Sequence, residues 1–205
     1  MSATGRPRPG GRTARVRRAV LDATLAELGE HGIDALTVDA VAARAGVHRA
    51  TVHRRWTDVG GLLADALADA GEDGWIPPDT GTLAGDLAEL NRQVHAALVA
   101  QPPVTAAVIA AAGRSPQAAA ALRAFWDDRY ARCAVVVDRA VERGEAAPGT
   151  DRQTVLVAAT APVFHHVVLL GRPLDVEQVL AYAALAARAA ATGPCTGRDT
   201  AGDRQ

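Results

Sequence analysis

The side chains best suited to a chemical task are concentrated in one segment, Thr37–Trp56. Its second half carries the basic and hydrogen-bonding residues His48, Arg49, Thr51, His53, Arg54 and Arg55. Guanidinium groups bind phosphates, and together with hydroxyl and imidazole groups they form hydrogen bonds to the exposed edges of bases. A short helix that carries these groups outward has the right chemistry for the major groove of DNA. We therefore expect this segment to bind a DNA duplex.

The small and apolar residues of the same segment predict the helices that position those groups. Ala42 lies four residues before Gly46, and Val52 lies six residues after it. A small residue lets two helices cross closely, a glycine adopts the left-handed turn between them, and an apolar residue anchors the second helix. The remaining inward contacts are expected from Val41, Ala45 and Val47. This spacing predicts a helix-turn-helix over residues 37–56.

The charge of the chain is unevenly distributed. Residues 1–55 hold ten arginines and five acidic residues, a net charge of +5, whereas the rest of the chain carries −6. A basic region on an acidic body concentrates the attraction for a polyanion at one end. Lysine is absent from all 205 residues, so the choice of arginine at a given position carries no information about its role.

The composition favours an all-helical protein. Aromatic residues make up only 3% of the chain, alanine-rich stretches are frequent, and the 49% hydrophobic content is sufficient for a core. No apolar stretch follows the charged N-terminus, and no uncharged apolar run approaches the ~18 residues of a membrane span. We expect a soluble, cytoplasmic protein with no membrane partner.

Sequence patterns of catalysis and of metal binding are missing. The chain has no G-x-S-x-G elbow, no nucleotide-binding glycine loop and no H-E-x-x-H motif. Its two cysteines, Cys133 and Cys195, are too few for a disulfide framework or a metal cluster. An enzyme is therefore the least favoured interpretation, and we expect neither a cofactor nor a metal.

Glycine and proline clusters divide the chain into regions. We expect a disordered basic arm over residues 1–12, a DNA-binding domain over 13–73, a C-terminal domain over 80–192 and a disordered tail over 193–205. The predicted helices of the first domain are Thr13–Glu30, a helix capped by Thr37, Arg49–Trp56 and Asp58–Ala70. Those of the second are Leu83–Ala100, Val104–Ala112, Pro116–Gly144, Asp151–Leu170 and Val176–Ala191. Gly60 and Gly61 predict a soft start to the fourth helix, and Trp56 is expected in the core between helices one and four.

From Val20 to about Leu67 the chain resembles the DNA-binding domain of the TetR family of bacterial transcriptional repressors. The resemblance rests on the pattern T-V-x-x-V-A-x-x-A-G-V, followed by a recognition helix of the form x-x-x-T-hydrophobic-x-R-x-aromatic. The stretch Pro162–Asp175 resembles the regulatory domain of an actinobacterial subgroup of that family. The resemblance implies an all-α homodimer of about nine helices, whose last two long helices pair in a four-helix interface. It also implies a small-molecule pocket in the C-terminal domain and repression by operator binding.

The resemblance assigns roles to individual residues. Thr37, Arg49, Arg54 and Arg55 are implied to contact phosphates, and Ala50, Thr51 and His53 to approach base edges; Arg44 and His48 complete the candidate set. His53 stands where the family often has a tyrosine. Val59 and Gly60 occupy the region in which the family commonly has a phosphate-binding lysine. The arginines of the arm, Arg6, Arg8 and Arg12, are either a compensating minor-groove contact or an ordinary disordered tail.

The second domain offers few polar groups to a ligand. Candidates for an effector pocket are Trp126, Arg129, Tyr130, Phe164 and His165, although core packing is the more common role of an aromatic residue on an inward helix face. His165 and His166 point about 100° apart on a helix, which disfavours a shared metal and fits a position near a dimer interface. The leading interpretation is a ligand-released repressor. A ligand-independent activator or architectural DNA-binding protein is the alternative.

Overall fold

The computed structural model describes residues 10–192, and every regular element in that range is helical. The nine α-helices are α1 Gly10–His31, α2 Val38–Arg44, α3 Arg49–His53, α4 Val59–Gly71, α5 Leu83–Val99, α6 Val104–Ala112, α7 Pro116–Glu142, α8 Arg152–Phe164 and α9 Val176–Thr192. A π-helical turn, His165–Leu169, continues α8. The all-α class predicted from composition is confirmed.

Three of the predicted boundaries are corrected. α1 begins at Gly10, so residues 10–12 of the predicted disordered arm are helical. α3 ends at His53 because the next turn tightens: the N–H groups of Arg55 and Trp56 both donate to the carbonyl of Val52, at 3.0 and 2.9 Å. The α-helical part of α8 ends at Phe164, two residues after Pro162, which supplies no backbone N–H. Arg6, Arg8, Cys195 and the tail 193–205 lie outside the described residues.

The described chain divides into two compact units. The first consists of residues 10–73 and 101–125, and the second of residues 74–100 and 126–192. Residues 101–125, which the sequence assigns to the C-terminal domain, therefore pack with the N-terminal helices. α6 lies against α1, where a Cβ added to Gly29 would come within 2.8 Å of Cγ2 of Val104. A close helix crossing at this glycine explains the grouping, which local sequence patterns do not reveal.

The core of the first unit is built from the inner faces of α1–α4, closed by α6 and the start of α7. Its largest fully buried side chains are Val20, Leu21, Leu28, Val41, Val52, Leu62 and Leu63. Gly60 lies close to the segment before α7: an added Cβ would come within 2.6 Å of Oγ of Ser115, which would then have to move. The residue predicted to soften α4 thus permits a close contact with the segment before α7.

The second unit packs α5, α8 and α9 together, with the second half of α7 contributing Val136 and Val137. The side chain of Asn91 is fully buried between these helices and donates to the carbonyls of Ala159 and Val179 at 2.9 and 3.1 Å. One amide therefore links α5 to both α8 and α9.

Among residues 10–192 no single helix is long and apolar enough to span a membrane; α5 and α6 meet both criteria only when taken together.

Candidate nucleic-acid interface

The turn between α2 and α3 is built around Gly46. Its φ of 63° lies in the left-handed region, which a residue with a side chain rarely adopts. The N–H of Gly46 donates to the carbonyl of Ala43 at 3.2 Å, and that of Val47 donates to the carbonyl of Ala42 at 3.0 Å. Ala42 is buried where the helices cross, and Val52 is fully buried beneath α3. The predicted helix-turn-helix is confirmed.

The short helix α3 has one buried side and one exposed side. On the buried side lie Val52 and, just beyond the helix, Trp56, which is 5% exposed. The exposed side carries the predicted DNA contacts His48, Arg49, Ala50, His53, Arg54 and Arg55, with Thr51 half-buried beside them. The structure thus brings seven of the nine candidate residues together on one surface, which we call the α3 face.

The two helices of the motif begin at exposed side-chain caps. Oγ1 of Thr37 accepts from the N–H of Ala40 at 3.1 Å, and Nδ1 of His48 accepts from the N–H of Ala50 at 3.3 Å. The Thr37 hydroxyl keeps its proton for a second partner. A neutral His48 that accepts at Nδ1 carries its proton on Nε2, so it can donate to an anion. Both caps combine helix stabilisation with a donor next to a helix N-terminus, an arrangement that suits a phosphate.

An acidic residue that sequence reasoning did not single out lies beside the α3 face. Asp39, in the first turn of α2, places its Oδ1 2.8 Å from Nε of Arg49 and 3.2 Å from Nε2 of His53. One carboxylate oxygen therefore contacts two of the predicted DNA-binding side chains. The sequence shows only that Asp39 precedes them by ten and fourteen residues; the crossing of α2 and α3 brings the three together.

Arg44 is occupied within the protein. Its guanidinium donates to Oε1 of Glu27 at 2.9 Å and to both carboxylate oxygens of Glu30, and so ties the end of α2 to α1. Hydrogen bonding to Glu30, and then to Glu27, raises the pKa of Arg44, and the reciprocal bond lowers the pKa of Glu30. Two carboxylates offset its charge, which disfavours the predicted contact with DNA. Its geometry is that of a structural ion pair.

An open groove of about 590 Å³ lies between the first half of α1 and α3. Its lining includes the basic side chains of Arg12, His48, Arg54 and Arg55. Arg17 also borders the groove, but its guanidinium is held by Asp69 of α4 at 2.5 Å. The groove extends the α3 face with positive charge towards α1. Arg12 is the one arginine of the predicted arm that falls within the described residues, and it lies here.

The predicted effector residues lie in the second unit. Trp126 packs edge-on against Phe164, with ring centroids 5.3 Å apart, and lies 6.1 Å from the ring of Tyr130. The guanidinium of Arg129 lies 4.5 Å from the centre of the Trp75 ring. The aromatic candidates therefore meet one another, and Arg129 contacts Trp75, a residue that the sequence did not single out.

His165 and His166 have different surroundings. The His165 side chain is exposed, whereas Nε2 of His166 lies 2.9 Å from the hydroxyl of Tyr182 on α9. The rings of the two histidines are 5.9 Å apart. Within the described part of the chain, no group of three or more histidine, cysteine, aspartate and glutamate side chains is arranged to hold a metal.

Comparison with known proteins agrees with this geometry. Residues 20–66 match the family described as "Bacterial regulatory proteins, tetR family", and residues 77–193 match "Tetracyclin repressor-like, C-terminal domain". The chain is 34% identical over 163 residues to the HTH-type transcriptional regulator AqdR of Rhodococcus erythropolis, covering 78% of each. It is 32% identical over 161 residues to the DNA-binding transcriptional repressor TetR of Mycobacteroides abscessus, covering 77% of this chain and 84% of that one.

A solved structure of a TetR family transcription regulator, SCO0332, superimposes with a TM-score of 0.67 at 28% identity. The match covers 88% of this chain and all of the other. The helix-turn-helix, the two matched domains and these relatives agree with one another. The chain is therefore a member of the TetR family of DNA-binding transcriptional regulators.

Proposed function

We propose that this chain is a homodimeric repressor that reads a palindromic operator with two copies of α3 and is released by a small hydrophobic or amphipathic effector. The observation that carries the proposal is the division of α3 into a side anchored by Val52 and an exposed side rich in arginine and histidine. A rigidly anchored helix with an outward basic surface is suited to enter a major groove. The relative in Mycobacteroides abscessus is itself named a repressor.

On the α3 face we assign the phosphate contacts to Arg49, Arg54 and Arg55, joined by the caps Thr37 and His48. Ala50, Thr51 and His53 are assigned to base edges. Arg44 is left out because two carboxylates hold its guanidinium and its side chain is only 32% exposed. Arg49 is kept because it meets a single carboxylate and is 67% exposed. The region where the family commonly has a phosphate-binding lysine carries Val59 and Gly60 here, and Arg12 in the α1–α3 groove is the basic group available to compensate.

The proposed dimer interface is formed by α8 and α9. The exposed positions of α8 include Thr154, Val157, Ala158 and Ala161, which recur at helical spacing and are small or apolar. On α9, Ala181 and Leu185 form a similar stripe, and Leu185 is 59% exposed. Small side chains allow helices to pack closely, and large exposed aliphatic residues at helical spacing favour burial by a partner. A second copy of the chain would place four such helices together.

A dimer gives the effector a way to act. Two recognition helices must meet grooves about one helical turn apart, ~34–36 Å. An effector that binds more tightly to a conformation with a different spacing shifts the protein away from the DNA-binding conformation. The size of this shift is limited by the difference between its affinities for the two conformations. The cluster of Trp126, Tyr130 and Phe164 supports an apolar ligand, since small-molecule sites are lined predominantly by hydrophobic and aromatic side chains.

Selection of bound duplexes from a random pool tests the DNA-binding part of the proposal with the full chain. We expect an inverted repeat whose half-sites are centred about 10 base pairs apart or a multiple of it. A Val157→Glu, Leu185→Glu double variant should sediment as a monomer and lose the preference for the repeat. Ile76→Glu, at a position that is 79% exposed and distant in sequence from α8 and α9, is the matched control. Enrichment of no sequence, or of a single non-repeated site, would contradict the proposal.

A second experiment separates the effector-released repressor from a ligand-independent regulator. The operator complex is titrated with hydrophobic compounds that raise the melting temperature of the free protein in a concentration-dependent way. We expect at least one such compound to release the operator. A regulator without an effector would give neither stabilisation nor release.

A further inference from the structure

The carboxylate of Asp39 holds two residues of the α3 face at once. Its Oδ1 lies 2.8 Å from Nε of Arg49, the first residue of α3, and 3.2 Å from Nε2 of His53, the last. Residues four positions apart share one side of a helix, so a single acceptor can reach both. The Asp39 side chain is 51% exposed and that of Arg49 is 67% exposed. Exposed ion pairs contribute little to stability, which suggests another role for this one.

The contact with Asp39 determines which ring nitrogen of a neutral His53 carries the proton. A carboxylate can only accept hydrogen bonds, so Nε2 of His53 must donate, and in the neutral ring Nδ1 is then left as an acceptor. In the major groove, the groups that donate to such an acceptor are the exocyclic amines of adenine and cytosine. A His53 without Asp39 could adopt the other tautomer and donate at Nδ1 to guanine, to thymine or to N7 of adenine. Asp39 thus restricts the bases that His53 can read.

The same carboxylate opposes binding that depends on charge alone. It offsets part of the Arg49 charge, and it places a negative group where the phosphates of any duplex approach. Affinity for DNA of arbitrary sequence comes almost entirely from contacts between cations and phosphates. An acid at this position therefore weakens non-specific binding more than binding to the correct site.

We propose that Asp39 is a positioning residue that sets sequence specificity: it directs His53 to an adenine or a cytosine and suppresses binding to unrelated DNA. The inference rests on the proposed function, in which α3 enters the major groove. It extends that function by naming the class of base that is read and a protein group that enforces the choice.

Two substitutions of Asp39 separate the effect of its hydrogen bonds from the effect of its charge. Asp39→Asn removes the charge but keeps an acceptor oxygen, and Arg49, which can only donate, keeps that oxygen turned towards the pair. Asp39→Ala removes both. Asp22→Asn is the matched control, because Asp22 is another exposed, ion-paired carboxylate, bound to Arg18 of α1 at 3.2 Å and without a hydrogen bond or ion pair to α3 among the described residues.

The test compares duplex selection and binding for the full-length wild type and the variants, at a temperature where circular dichroism shows each variant folded. His53→Ala first identifies the base position that depends on His53, and the wild type should select adenine or cytosine there. Asp39→Ala should lose that preference and bind a random duplex about three- to tenfold more tightly. Asp39→Asn should bind the random duplex more tightly but keep the preference, and Asp22→Asn should change neither property.

The outcomes are distinguishable. Unchanged base preference and unchanged random-duplex affinity in Asp39→Ala would overturn the inference, as would a guanine or thymine preference that depends on His53 in the wild type. A His53→Ala variant that selects the same bases at every position would also overturn it. If the wild type enriches no sequence at all, the proposed function itself fails.

Discussion

The indole N–H of Trp56 donates a hydrogen bond to Oδ2 of Asp65, with 3.0 Å between the two heavy atoms. Trp56 ends the segment that contains α3, and Asp65 lies on α4, so this contact joins the recognition helix to the helix that follows it. The Trp56 side chain is 5% exposed and belongs to the core of the first unit. The position of α3 therefore depends on a buried aromatic residue whose polar edge is satisfied.

Truncation of the Trp56 side chain should destabilise the first unit more than removal of its hydrogen bond alone. Trp56→Ala leaves a large cavity and should cost ~3–5 kcal/mol. Trp56→Phe keeps most of the volume but removes the hydrogen bond to Asp65, and should cost ~1–2 kcal/mol. The free energy of unfolding in urea measures both. Equal losses in the two variants would show that the hydrogen bond, and not the packing, anchors α3.

The helices around this anchor could be predicted because their signals are local. Gly46, with its positive φ, marks the turn, and Asp58 caps α4 by accepting from the N–H of Gly61 at 2.8 Å. Both features lie within a few residues of the elements that they define. The burial of Trp56 is also predicted, but α3 is shorter than its pattern because the turn after His53 tightens, and helical periodicity does not reveal where a turn tightens.

The candidate site could be predicted only in part, because its electrostatics depend on helix crossings. The basic side of α3 follows from spacing alone. The capture of Arg44 by Glu27 and Glu30, and the contacts of Asp39 with Arg49 and His53, join residues 10 to 17 positions apart on different helices. Gly60 is a similar case, since the Ser115 side chain that packs closely against it comes from a distant part of the chain.

Arg44 and Arg54 should respond differently to salt. Arg54→Ala removes a proposed phosphate contact, so the slope of log affinity against log salt should fall by about 0.9 for every duplex sequence. Arg44→Ala removes an internal ion pair, so it should lower the melting temperature slightly and leave the slope unchanged. Fluorescence anisotropy titrations between about 50 and 200 mM salt measure the slopes. A flattened slope in Arg44→Ala would show that Arg44 contacts DNA phosphates after all.

Arg55 and Thr51 should separate affinity from sequence preference. Arg55 is a proposed phosphate contact that lines the groove between α1 and α3, and its guanidinium lies 5.1 Å from the centre of the Trp56 ring. Arg55→Ala should therefore weaken binding to all duplexes and flatten the salt slope, whereas Thr51→Ala should alter the selected bases. Selection from a random pool, run on both variants, checks this difference. A changed consensus in Arg55→Ala would assign that residue to base recognition instead.

The second unit should lose stability in acid through Glu145. A hydrogen bond from Arg143 and a second from the backbone N–H of Leu83, at 2.5 Å each, lower the pKa of Glu145 below its ordinary value of 4.5. A carboxylate whose folded pKa is depressed stabilises the folded state above its unfolded pKa, and this contribution is lost as the pH falls through the folded pKa.

The melting temperature should therefore be nearly constant from neutral pH to about pH 5 and should fall below it. Glu145→Gln should melt lower than the wild type at pH 7, and the difference should shrink as the pH falls. Thermal unfolding monitored by circular dichroism between pH 7 and pH 3 gives both curves. Parallel curves for the two proteins would show that Glu145 does not contribute to acid sensitivity.

Asn91 should tolerate an apolar replacement better than a charged one. Its amide nitrogen donates to the carbonyls of Ala159 and Val179, but its Oδ1 is buried without a hydrogen-bond partner among the described residues. Asn91→Asp would bring a buried negative charge towards those two carbonyl oxygens and should cost ~3–5 kcal/mol. Asn91→Leu fills a similar volume and removes the unsatisfied oxygen, so its cost should stay within ~1 kcal/mol. Urea unfolding measures the free energy of unfolding of both variants. A Leu variant as unstable as the Asp variant would show that the two donated hydrogen bonds, and not the absence of buried charge, hold α5 to α8 and α9.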